Sequence, residues 1–71
     1  MRIGQTIAFT EYQTNHGPRM GTIEKCWYNY GILKTVLVKM HKLADGKFSH
    51  YDGAEFRSYS VKNLKDYAII G

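Results

Sequence analysis

In the stretch from Arg19 to Cys26 (RMGTIEKC), apolar side chains fall at Ile23 and next at Cys26, three positions apart, shortly after Gly21. A half-buried strand alternates its faces residue by residue. An odd step between two inward positions therefore demands an extra residue between them, a β-bulge or sharp bend. Glycine at the head of such a strand marks a close approach to a neighbouring backbone. Together, the bend and the close-approach glycine are what a small sheet needs to turn a corner and curl into a barrel. The other segments take their places around that strand.

Before it, residues 3–10 alternate, with Ile3, Ile7 and Phe9 in phase, and predict a first strand. Residues 11–18 are polar and end in the turn cluster Asn15-His16-Gly17-Pro18, a long loop. The bent strand covers 19–28, and Asn29-Tyr30-Gly31 supplies a short connection. A third strand over 33–43 sets Val36, Val38 and Met40 on one face and Thr35, Leu37, Lys39 and His41 on the other. Asp45-Gly46 and Asp52-Gly53 are turn signals, and residues 42–54 form an extended hairpin arm between them. The fourth strand, 54–61, puts Arg57, Tyr59 and Val61 on one side and Phe56 and Ser58 on the other. Val61 and Leu64 have the spacing of a single 3₁₀ turn, and a last strand comes near 66–70. The expected fold is all-β: a small five-stranded barrel with one 3₁₀ turn. Its expected core is Ile7, Phe9, Ile23, Val36, Val38, Val61 and Leu64.

A length of 71 residues allows one domain, 1–71, near the lower limit for a self-supporting core. With 44% apolar and 23% charged residues, the chain has enough to bury and is not expected to be disordered. It has no apolar run long enough for a membrane helix, and its first residues carry no apolar leader, so a cytoplasmic protein is expected. The lone Cys26 fits a reducing compartment. Ten Lys and Arg against six Asp and Glu leave +4, which favours a polyanionic partner.

Three segments carry a family resemblance. Residues 3–9 (IGQTIAF) are similar to a Gly-Asp-x-Val entry strand, with Gln5 in place of the aspartate. Residues 20–26 (MGTIEKC) are similar to a Gly-x-Val second strand, and residues 59–64 (YSVKNL) to a strand running out into a 3₁₀ turn. In these, which make up 20 of its 71 residues, the chain resembles the SH3-like (Src-homology-3-like) small β-barrels of the KOW and Tudor type. It departs from them at residues 42–54, which are longer than the usual tight hairpin. The resemblance implies work on nucleic acid or beside it.

The residue chemistry points the same way. His16, His41, His50 and Cys26 are scattered without metal-ligand spacing, so no metal site is expected. No nucleophile–base pair, paired carboxylates or glycine-rich phosphate loop is present, so neither enzyme activity nor a cofactor is expected. Trp27-Tyr28-Asn29-Tyr30 sets three rings together. Trp27 is assigned to capping the barrel, and Tyr28 and Tyr30 to base stacking. Arg19, Lys25, Lys34, Lys39, His41 and Arg57 are the cationic residues expected to contact DNA or RNA phosphates on one basic face. Lys62 and Lys65 are assigned to ordinary solvated surface. The expected role is a small non-enzymatic binding module, of an accessory or phage-type regulatory kind. The alternative is a protein-interaction adaptor or inhibitor whose groove is lined by Tyr12, Tyr28, Tyr30, Tyr51 and Tyr59. Homo-oligomerisation through the 42–54 arm is a further expectation.

Overall fold

The computed structural model describes residues 1–11, 19–48 and 53–71. Five strands run β1 (Thr6–Glu11), β2 (Arg19–Asn29), β3 (Ile32–Met40), β4 (Phe56–Ser60) and β5 (Leu64–Ile69), with a 3₁₀ turn, Val61–Asn63, between the last two. All pair antiparallel in one sheet of order β4-β3-β2-β1-β5. The polar loop 11–18 beyond Glu11, its turn cluster, Asp52 and residues 49–51 of the arm lie outside the described residues.

The odd apolar step is a bulge. Ile23 pairs with Val38 and Lys25 with Leu37, so Glu24 is the extra residue on β2. Phase is thereby reset. Cys26 comes to oppose Val36 on the inner face, whereas Lys25 and Trp27 turn outward. At Gly21 the strands approach so closely that a Cβ would press on Val38 Cγ1 and stand 2.7 Å from the Lys39 carbonyl oxygen. The β2–β3 hairpin closes through Tyr30 (φ 50°) and Gly31 (φ 76°) between the paired Asn29 and Ile32. Positive φ at both central residues is the type I′ pattern, whose twist matches that of the flanking strands.

The inner face buries Ile7, Phe9, Ile23, Val36, Val38, Met40, Tyr59 and Leu64. Phe9 and Tyr59 meet edge to face, ring centroids 4.9 Å apart. Met40 and Tyr59 thus join the expected core. Val61 packs against it half-buried, because its place in the 3₁₀ turn lifts it from the strand phase.

Three other expectations change. Ile3 is exposed, because Gly4 takes φ +90° and breaks the alternation before β1 begins. That entry turn still bonds β2: the Gly4 amide donates to the Ile23 carbonyl and the Ile23 amide to the Gln5 carbonyl, each at 2.8 Å. β3 ends at Met40, where the chain leaves the ladder for the arm. The sheet is also not closed into a barrel: its edges are β4 and β5. Leu64, straight after the 3₁₀ turn, pairs with Glu11 of β1. The turn therefore hands the chain across the core to the β1 side instead of folding it back along β4.

Part of the arm is described. Lys42 and Phe48 form an isolated antiparallel bridge around a tight turn in which the Gly46 amide donates to the Leu43 carbonyl at 2.9 Å. Asp45 accepts a hydrogen bond from the Lys47 amide at 3.0 Å, the side-chain-to-backbone bond that favours aspartate in turns.

Candidate functional site

Cross-strand register defines what stands together on the outward face of β2, β3 and β4. One row is Thr22, Lys39 and Phe56; the next is Lys25, Leu37 and Ser58; the third is Trp27, Thr35 and Ser60. Directly paired residues share a face, with side chains about 5 Å apart at Cβ. Lys39 therefore stands beside Phe56, and Lys25 two residues before Trp27 on the same strand. Trp27 and Phe56 are 46% and 47% exposed, so each leaves about half of its surface open to solvent on this face. Glu24, the bulge residue, aside, no carboxylate occupies a register-paired position of these three strands.

At the β3 exit this face runs into an open groove of about 710 Å³ lined by Thr22, Lys39, Met40, His41, Lys42, Phe48 and Glu55. His41 Nε2 shares a hydrogen bond with Thr22 Oγ1 at 2.9 Å, which fixes the ring over β2. The Lys42 ammonium lies 5.4 Å from the centre of the Phe48 ring, a cation–π contact that holds the arm's base against the groove. Two lysines and a histidine thus face a single lining carboxylate, Glu55. Chemically, the arrangement can hold an anion at the groove and planar apolar groups on the sheet beside it.

The expected contact residues divide into separate groups. Lys25, Lys39 and His41 share the outward face. Arg57 does not, because it opposes Val38 on the inner side. It is half-buried, and its Nε, out of contact with water, has no hydrogen-bond partner among the described residues. Arg19 is buried opposite Phe9, so its charge lies inside the fold and not on a binding surface. Tyr28 and Tyr30 are exposed at the far end of the β2–β3 hairpin. Tyr28 pairs with Leu33, six residues of β3 from Lys39 and hence roughly 20 Å away along the strand. Lys34, the extra residue at a second irregularity opposite Trp27 and Tyr28, is exposed. It lines a hollow of about 450 Å³ with Ile32, Leu33, Thr35, Ser60, Val61 and Lys62.

Sequence reasoning alone misses Trp27, Phe56, Lys42 and Phe48 as site residues. For Trp27 a signal exists: the three-residue step that turns Cys26 inward must turn the next residue outward. For Phe56, its phase opposite Tyr59 is visible, but its pairing with Lys39 depends on the length of the arm. Tyr59, one of the five expected groove tyrosines, belongs to the core, and Tyr12 and Tyr51 lie outside the described residues. Among the described residues no three of His, Cys, Asp and Glu gather at one point, and no helix is long and apolar enough to cross a membrane.

Comparison with protein-family models, with curated proteins and with solved structures finds no match, so the reading of this site stands on its geometry.

Proposed function

We propose that this chain is a small nucleic-acid-binding module, without catalytic activity of its own, that takes DNA or RNA on the outward face of β2, β3 and β4. The observation that carries the reading is the placing of Lys25 and Lys39 among two half-exposed rings, on strands and a groove whose carboxylates are two, Glu24 at the bulge and Glu55 at the groove. Phosphate neutralisation by lysine releases condensed counterions and gives sequence-independent affinity, and the net charge of +4 adds long-range attraction. Strand order and the 3₁₀ exit are compatible with an SH3-like barrel of the KOW or Tudor type, which supports the same role. An accessory or regulatory factor working inside the cytoplasm is the setting that fits.

The test is a mobility-shift titration against random-sequence oligonucleotides over a salt series. Binding should weaken steeply with salt, by roughly 0.9 log unit per log unit for each duplex phosphate neutralised. Absence of binding at low salt would end this reading. It would promote the adaptor reading, for which the hollow beside the 3₁₀ turn is the specific support: Ile32, Leu33 and Val61 line it, with Lys34 and Lys62 among them.

A further inference from the structure

We infer that the nucleic acid held on this face is single-stranded, with bases stacked on Trp27 and Phe56 and phosphates set against Lys25 and Lys39; this rests on the nucleic-acid reading above. The face carries a ring-plus-lysine unit twice. Phe56 is paired across the ladder with Lys39, and Trp27 comes after Lys25 at the next outward position of β2. The rings are offset roughly 13 Å along the strands and roughly 10 Å across them, with half-buried Leu37 between. A ring to receive a base and an ammonium for its phosphate, repeated along an open surface, is how sequence-tolerant single-strand sites are built.

Duplexes fit this surface poorly for two reasons. Their base faces are already stacked on one another, so exposed rings find no partner on them. The B-form major groove, about 12 Å wide, admits a helix or a two-stranded ribbon. Three strands already span roughly 10 Å between outer backbones before side chains are added. The A-form major groove is narrower still and closed to side chains.

Trp27 is the sole tryptophan, so its fluorescence reports on the site directly. The full chain is titrated at low salt with oligothymidylate, oligouridylate, a random duplex and heparin, a polyanion without bases. One or both single strands should quench Trp27 and bind at least tenfold more tightly than the duplex, while heparin binds without matching quench. Phe56→Ala and Phe56→Leu, each checked for a native circular-dichroism spectrum, should lower single-strand affinity about 5- to 150-fold and leave heparin binding unchanged. Two variants guard against a misfolded one, since leucine keeps the apolar bulk and removes only the ring. Duplex binding as tight as single-strand binding would overturn the inference while leaving the nucleic-acid reading in place. So would equal binding of heparin and single strands without quenching, or an unchanged single-strand affinity in both folded variants. Failure of every ligand to bind would remove the underlying reading itself.

Discussion

Gly21 lies flush against Lys39: a Cβ at the glycine would stand 2.7 Å from the Lys39 carbonyl oxygen, backbone that cannot swing aside. The close contact sits at the end of the ladder that presents Lys39 outward, so fold and site share it. Gly21→Ala should destabilise by at least the 1–3 kcal/mol of an overpacked core, about 4–8 °C in Tm per kcal/mol at this size. Gly71→Ala is the control, since a Cβ there meets only Thr6 at 3.6 Å, an ordinary contact. Equal melting curves for the two variants would show that the strands can part at Gly21 without cost.

Val38 is fully buried between Ile23 and Arg57 in the central rows of the sheet. Val38→Ala should lower stability by about 1–3 kcal/mol as a large-to-small change in a packed core. A urea midpoint identical to that of the parent chain would contradict the assignment of the inner face.

Tyr30 occupies the left-handed region at φ 50° and is 96% exposed, so its ring contributes almost nothing to packing. That conformation costs a side chain with a full Cβ about 1–2 kcal/mol. Tyr30→Gly or Tyr30→Asn should therefore hold or raise Tm, asparagine being the residue that type I′ turns prefer before glycine. A fall in Tm would mean that the ring makes a stabilising contact.

Charge should separate the lysines by place. Lys39→Gln should weaken nucleic-acid binding across sequences and reduce the salt slope by about 0.7–0.9, the share of one phosphate contact. Lys62→Gln, in the hollow beside the 3₁₀ turn at the Thr35–Ser60 end of the sheet and far from Lys39 along β3, should change both less. Arg57→Gln should act on Tm before it acts on binding, because its side chain lies on the inner face. Parallel losses for Lys39 and Lys62 in the titration would leave the outward face without special standing.

Alternation makes most of the sheet legible. The bulge is implied by Ile23 and Cys26 alone, and the shared face of Lys39 and His41 by the regular run of β3. Arg57 is in phase with Tyr59, yet its charge suggests the surface. Phase decides which residues travel together, and only burial decides which of the two faces is the inside. Arg19 is misplaced for the same reason. Adjacency across strands is harder still, since the Lys39–Phe56 pair depends on how residues 41–55 leave and rejoin the ladder. Tyr28 and Tyr30 are near Trp27 in sequence, but the hairpin carries them to the opposite end of β3 from Lys39.

The extra residue on β2 uncouples the length of that strand from the facing of its later side chains. Without Glu24, Ile23, Lys25 and Cys26 would simply alternate, and the same partners, Val38, Leu37 and Val36, would still lie opposite them. A chain one residue shorter at this point could present the same ring and the same lysine. Loss of Cys26 instead would slide Trp27 into the inward position and turn the ring toward the core. Position 24 is thus where sequences of this shape can differ in length by one and keep a common surface.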